Sequence, residues 1–234
     1  MAILEVRDLY AGYYRELDIL RGTSVSAETG QITAVLGANG VGKSTLLKVI
    51  AGFVKPSRGS IRIDGREMAG TPPHRLIDRG VSYIPQQRGI FEHMTVEENL
   101  LIGAWSFRRD GARIRDRLER NYERFPMLRE KRRKPAWQLS GGQQRMVEIG
   151  RSLMADPRVL LVDEPTAGLA KLVWADVYGM LVRLRDEGRA VLLVDQEIRE
   201  ALKIADYVYV LDLGRNRFEG RTSEFADVEK SFWL

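Results

Sequence analysis

Three stretches of the chain are apolar at nearly every position: Ile32-Thr33-Ala34-Val35-Leu36, Val159-Leu160-Leu161-Val162 and Ala190-Val191-Leu192-Leu193-Val194. Short runs with no polar face predict strands covered on both sides, as in a parallel sheet. Elsewhere apolar and polar positions alternate. Ser60-Ile61-Arg62-Ile63-Asp64-Gly65 predicts a half-buried strand closed by an Asp-Gly turn. Leu4 to Leu9, Asp18 to Val25, Val81 to Pro85 and Tyr207 to Leu211 read as further strands, and Leu213-Gly214-Arg215 turns out of the last. Ser44 to Ala51 has a helical period and is stopped by Gly52. From Thr95 to Leu153 the pattern is largely helical, and Thr95-Val96-Glu97-Glu98 opens one helix as a capping box. The order predicts one domain over 1–234: an α/β core, an N-terminal antiparallel β portion, and an α-helical subdomain inserted at about 88–153.

Composition narrows this picture. Of the 234 residues, 44% are hydrophobic and 29% charged, the balance of a soluble globular protein. No stretch approaches the ~18 consecutive apolar residues of a transmembrane helix. The start, Met1-Ala2-Ile3-Leu4-Glu5-Val6-Arg7-Asp8, has no long apolar run and does not read as a secretory signal. The absence of cysteine excludes disulfides and thiolate metal sites. The net charge of +5 is unevenly placed: Arg108 to Lys134 holds twelve Arg or Lys against five acids, a net +7. That segment reads as a solvated helix face with opposite-sign pairs, a surface for anionic lipid headgroups, or a nucleic-acid surface. Aromatics do not interleave its basic residues as base-stacking platforms would.

Three motifs carry chemistry. Gly37-Ala38-Asn39-Gly40-Val41-Gly42-Lys43-Ser44-Thr45 follows a predicted strand and opens a predicted helix. Gly37, Asn39, Gly40 and Gly42 are the expected nucleotide-binding residues of the loop: its glycines let backbone N–H groups converge on phosphate oxygens, and the helix N-terminus adds positive potential. Lys43 is expected to reach the β- and γ-phosphates of a nucleotide, Ser44 to ligate Mg²⁺, and Thr45 to face the α-phosphate. Asp163 and Glu164 end an apolar strand, where two adjacent carboxylates need compensation; a nucleotide-bound Mg²⁺ supplies it for Asp163 through water. Ser140-Gly141-Gly142-Gln143 has capping-box spacing, so a helix N-terminus with an anion-binding hydroxyl is expected there.

Together and in this order, the phosphate loop, Leu139-Ser140-Gly141-Gly142-Gln143-Gln144 and Val159 to Pro165 resemble the ATP-binding cassette (ABC) family, and most strongly the ATPase subunit of a membrane transporter. The resemblance implies a P-loop NTPase (RecA-like) fold, ATP and Mg²⁺, and Glu164 as catalytic base. It implies that Ser140, Gly141, Gly142 and Gln143 contact the γ-phosphate held by a second ATPase subunit in a head-to-tail dimer. It makes Gln86, in Tyr83-Ile84-Pro85-Gln86-Gln87, the glutamine that senses Mg²⁺ and links the core to the helical insertion. It places Tyr13, or its neighbour Tyr14, against adenine.

Two positions depart from the common pattern. Gln196 stands where most ABC ATPases have histidine, and the two histidines of the chain, His74 and His93, lie elsewhere. Glutamine can bond a γ-phosphate but carries no titratable charge. Ala170 stands where an aspartate is usual. The ATPases of branched-chain amino acid importers, of the LivF type, offer an account. This chain is similar to them over nearly its whole length, in Pro72-Pro73-His74-Arg75, Met94-Thr95-Val96-Glu97-Glu98-Asn99-Leu100 and Gly168-Leu169-Ala170, and they commonly carry glutamine at the histidine position.

That likeness implies a second ATPase subunit, two integral membrane permeases, an extracytoplasmic solute-binding protein, and a place on the cytoplasmic face of the plasma membrane. The solute would be a branched-chain amino acid, or urea, an amide or an aromatic acid. No nucleic-acid partner is expected. The rival readings are a non-transport ABC ATPase acting on nucleic acid or ribosomes, and a weakly hydrolytic regulatory subunit motivated by Gln196 and Ala170.

Overall fold

A computed structural model describes residues 2–14, 17–87 and 89–225. The apolar and alternating runs form two sheets. The first is antiparallel, in the order β2-β1-β4-β5, from β1 (Ala2–Ala11), β2 (Leu20–Glu28), β4 (Arg58–Ile63) and β5 (Arg66–Glu67). The second has the order β10-β9-β3-β8-β7-β6. Its β3 (Ile32–Leu36), β6 (Val81–Ile84), β7 (Val159–Asp163), β8 (Ala190–Val194) and β9 (Tyr207–Asp212) run parallel, and β10 (Arg215–Arg221) returns antiparallel along β9. Every residue of β3, β7 and β8 is buried, as their unbroken apolar runs require.

Several elements differ from the sequence reading. The second strand starts at Leu20 rather than Asp18, because Asp18 instead accepts from Ser57 Oγ in the turn before it. Tyr207 does not begin the last strand: β10 follows it. Its sequence, Arg-Asn-Arg-Phe-Glu-Gly-Arg, is mostly polar because it forms the sheet edge, where only alternate positions face inward. The Asp64-Gly65 turn has positive φ at both residues (49° and 71°), the geometry of a tight hairpin.

The core sits on both faces of the parallel sheet. On one side α1 (Lys43–Ile50) is sandwiched with the antiparallel sheet, burying Leu4, Leu9, Leu46, Ile50, Leu161 and Leu192 together. On the other, α6 (Gly141–Leu153), α7 (Trp174–Asp186) and α8 (Ile198–Ile204) bring Ile149, Leu153, Val177, Leu181 and Ala201 against Leu160 and Leu193. Between β6 and β7 lies the helical stretch: α3 (Val96–Ile102), α4 (Gly111–Arg124), α5 (Pro126–Glu130) and α6. It has its own cluster, with Val96, Leu100, Tyr122, Leu128, Val147 and Met154. α6 contributes to both clusters and so joins the helical layer to the sheet. Short α2 (Pro73–Ile77) connects β5 to β6.

Both predicted capping boxes form. Thr95 and Glu98 exchange hydrogen bonds at the start of α3, and Ser140 and Gln143 do so at the start of α6. The basic segment spends part of its charge on internal acids. Arg124 grips Glu187 bidentately (2.7–3.1 Å), and Arg117 reaches Asp156 at 2.8 Å, so α4 is pinned to loops of the core. Arg120–Asp116 and Arg129–Glu119 pairs lie on the exposed face of the helical stretch. The C-terminal aromatics Phe232 and Trp233 lie outside the described residues.

Candidate functional site

The loop from β3 to α1 gathers the first site residues at the carboxyl ends of the parallel strands, where open α/β sheets place their ligands. Two glycines there are dictated by space. A Cβ on Gly37 would lie 2.4 Å from the carbonyl oxygen of Leu211, and Gly42, at φ 109°, would press one against Leu20 at 2.9 Å. Asn39 and Gly40 form the exposed tip of the loop, and Thr45 is buried in α1. Lys43 is 5% exposed and donates to the carbonyl oxygens of Gly37 (2.8 Å) and Ala38 (2.9 Å), curling its ammonium over the loop. Burial pulls its pKa below the ordinary lysine value, while the Glu164, Asp163 and Asp195 carboxylates push it back up.

The end of β7 meets this loop directly. Asp163, 2% exposed, accepts from Ser44 Oγ at 2.9 Å on one oxygen and from Tyr83 OH at 3.0 Å on the other. Burial and the Asp163 charge both raise the Tyr83 pKa, so its phenol stays protonated and donating. Glu164 follows with φ 42°, a left-handed conformation uncommon outside glycine. The backbone is held there by Glu164 N donating to Val194 O (2.8 Å) and Ala167 N donating to Glu164 O (3.1 Å). This turn separates the two carboxylates: Asp163 faces α1, and Glu164 faces two exposed glutamines. Gln86 Nε2 donates to Glu164 Oε2, and Gln196 Nε2 donates to Oε1 at 2.6 Å. Of the adjacent pair Gln86 and Gln87, Gln86 makes this bond.

Lys43, Ser44, Asp163, Glu164, Gln86 and Gln196 therefore converge on one place, joined by Tyr83, which sequence reasoning passed over. The expected Mg²⁺ fits the donor set. Ser44 and Asp163 offer hard oxygens on one side, and Gln86 is hydrogen-bonded to Glu164, the residue after Asp163. Among the described residues no group of three or more His, Cys, Asp or Glu forms a metal cage. A cation here would complete its shell with water and phosphate oxygens, the habit of Mg²⁺.

Tyr13 stands apart, half exposed beside Lys48 of α1, whose ammonium lies 5.8 Å from its ring centroid. With Tyr14, Phe53 and Pro56 it lines an open cavity of about 430 Å³. Tyr14 is more exposed and bridges to Leu17. Ser140, Gly141, Gly142 and Gln143 form the tip of α6, where their hydrogen bonds run within the cap. No bond among the described residues ties them to the phosphate loop.

A second residue that the motifs did not single out organises the site. Arg145, 2% exposed, donates to Pro165 O (3.0 Å), Pro85 O (2.8 Å) and Glu148 Oε2 (3.0 Å). Glu148 in turn accepts from Gly89 N, and Arg151 donates to Gly89 O at 2.8 Å. α6 thus grips the loop carrying Gln86 and the residue after Glu164. An arginine five positions into a capped helix carries no distinctive signal in a single sequence.

The geometry has its counterpart in known proteins. The ABC transporter family model matches residues 20–167. The high-affinity branched-chain amino acid transport ATP-binding protein BraG of Pseudomonas aeruginosa is 39% identical, over 89% of this chain and 88% of its own. The probable branched-chain amino acid transport ATP-binding protein LivF of Archaeoglobus fulgidus is 38% identical over 97% and 96%. The lipopolysaccharide export system ATP-binding protein LptB of Haemophilus influenzae is 33% identical over 92% and 89%. The crystal structure of a nucleotide-free ATP-binding cassette from an ABC transporter superposes with a TM-score of 0.88 at 30% identity, covering 98% of this chain and 96% of that one. With its phosphate loop and its strand-end acid pair set together on a P-loop NTPase sheet, the chain belongs to the ABC transporter family, as an ATP-binding subunit that hydrolyses ATP.

Proposed function

We propose that this chain powers an importer of branched-chain amino acids or a related small solute such as urea, an amide or an aromatic acid. The observation that carries the reading is its near-full-length likeness to two branched-chain amino acid transport ATP-binding proteins, at 38–39% identity. The weaker likeness to lipopolysaccharide export ATPases, at 33%, supplies the second reading.

In this proposal the phosphate loop wraps the nucleotide, Lys43 leaves the Gly37 and Ala38 carbonyls for the β- and γ-phosphates, and Thr45 faces the α-phosphate. Ser44, Asp163 and Gln86 would hold Mg²⁺, which would supply charge neutralisation at the phosphates. Tyr13 stacks on adenine. Glu164 accepts a proton from the attacking water as its oxygen bonds to the γ-phosphorus and the bridging bond to ADP breaks. Gln196 orients Glu164 and the γ-phosphate by hydrogen bonding. Ser140, Gly141, Gly142 and Gln143 serve the γ-phosphate of a second ATPase subunit, with the positive end of α6 stabilising charge as it spreads. Two permeases receive the motion through the Gln86 loop at the cytoplasmic membrane face, and an extracytoplasmic binding protein delivers the solute.

Co-purification from mildly solubilised native membranes in ATP, read by mass spectrometry, tests this. Two permeases with a second ATPase and a solute-binding protein are expected. Recovery with lipopolysaccharide export components would favour the second reading, and recovery with ribosomes or DNA-bound proteins would overturn both.

A further inference from the structure

Behind Gln196 lies a buried polar chain that the hydrolysis scheme does not use. Asp195, the residue after β8, is 2% exposed. Its Oδ2 accepts from Tyr178 OH of α7 at 2.8 Å, and its Oδ1 accepts from Glu197 N at 3.0 Å. The Tyr178 oxygen also lies 3.2 Å from Thr166 Oγ1, two residues after Glu164. A carboxylate only accepts, so the phenol donates to Asp195 and Thr166 donates to the phenol. Tyr178 and Thr166 are 4% and 2% exposed, so no solvent competes for these bonds. The Asp195-to-Glu197 bond closes a side-chain turn around one residue, Gln196. That turn sets the backbone from which Gln196 reaches Glu164.

We propose that Thr166, Tyr178 and Asp195 form a positioning network that fixes Gln196 against Glu164 and so controls the rate of hydrolysis without touching the nucleotide. The inference rests on the reading of Glu164 as the base. The Tyr178 hydroxyl is placed where it joins the loop after β7 to the loop after β8, the two segments that carry Glu164 and Gln196.

The charged groups facing Asp195 are Glu164 at the end of β7 and Lys43 of α1, with the Tyr178 phenol on α7 and Glu197 beyond it. Burial pushes the Asp195 carboxyl up to about 6, against the hydrogen bonds from Glu197, Tyr178 and Gln196 that favour its charged form; Glu164 adds to the rise. The fold therefore holds a proton on Asp195 more tightly than the unfolded chain does. Stability from this group is present below its unfolded value near 3.8 and is lost as pH rises through about 6. At pH 7.5 the carboxylate is charged at a cost to stability, which suits a group kept for positioning.

The test compares ATP turnover of the full chain in wild type, Tyr178→Phe, Asp195→Asn and Glu164→Gln from pH 5 to 9. Tyr178→Phe is expected to lower kcat about tenfold with KM for ATP unchanged, and to move the acid limb of kcat to higher pH, since the carboxylate loses a donor. Asp195→Asn is expected to erase the acid limb near 6 and to raise Tm at pH 7.5 while slowing turnover. Wild-type kcat and an unmoved acid limb in Tyr178→Phe would overturn the network, whatever its Tm. Wild-type turnover in Glu164→Gln would instead remove the base assignment on which the network rests.

Discussion

Glu164→Gln is expected to bind ATP as wild type does and to hydrolyse it about 10²–10⁴-fold more slowly. The change is nearly isosteric, and Gln tolerates the φ of 42° no worse than Glu does, so the turn between β7 and the following loop survives. What disappears is the proposed proton acceptor. A second loss follows from the hydrogen bonds. Glu164 presents one oxygen to Gln86 and the other to Gln196, both as acceptors. A glutamine has one acceptor oxygen, so one of the two neighbouring amides must turn away. Equilibrium nucleotide binding measured beside single-turnover hydrolysis separates the two effects. Retained affinity with lost turnover supports the base. Turnover within about twofold of wild type would place proton acceptance elsewhere, and equally slow wild type and variant would favour the regulatory reading.

The same two glutamines mark how far the sequence could be read. Strands β3, β7 and β8 are legible because strands buried on both faces are short, nearly continuous apolar runs bounded by polar or turn residues. Edge strand β10 is not, since its polar residues face outward. Lys43, Ser44, Asp163 and Glu164 could be proposed as site residues because the motifs that suggest them lie within short segments of sequence. Gln86 and Gln196 could be named only through resemblance to a family. Their meeting at Glu164 spans 78 and 32 residues of sequence, which local pattern cannot supply. Tyr178 and Arg145 were invisible for a related reason. Each sits on a helix, and polar partners reach it from segments remote in sequence, so only the tertiary fold brings them together. The excess charge of the basic segment divides likewise: part is spent on Asp156 and Glu187 of the core, acids remote in sequence from α4.

Arg145→Ala is expected to cost about 3–5 kcal/mol of stability, the range for removing one member of a buried ion pair. Arg145 and Glu148 are 2% and 4% exposed. Truncation strands the Glu148 carboxylate, left with Gly89 N, and orphans the Pro85 and Pro165 carbonyls that the guanidinium satisfied. Replacing both partners is a different experiment. Arg145→Met with Glu148→Met removes both charges and retains much of the volume, so most of the stability is expected to return. Turnover is not expected to return with it. Pro85 precedes Gln86 and Pro165 follows Glu164, and one guanidinium spans the two. Without it, the loop carrying Gln86 and the loop after β7 lose a common support on α6, the helix whose capped tip carries Ser140. Denaturant melts of the three proteins, read with kcat, distinguish the roles. A stable but slow double variant assigns Arg145 to coupling these segments. A loss below about 1 kcal/mol in Arg145→Ala, within the range of ordinary point substitutions, would show that the buried network contributes little to either.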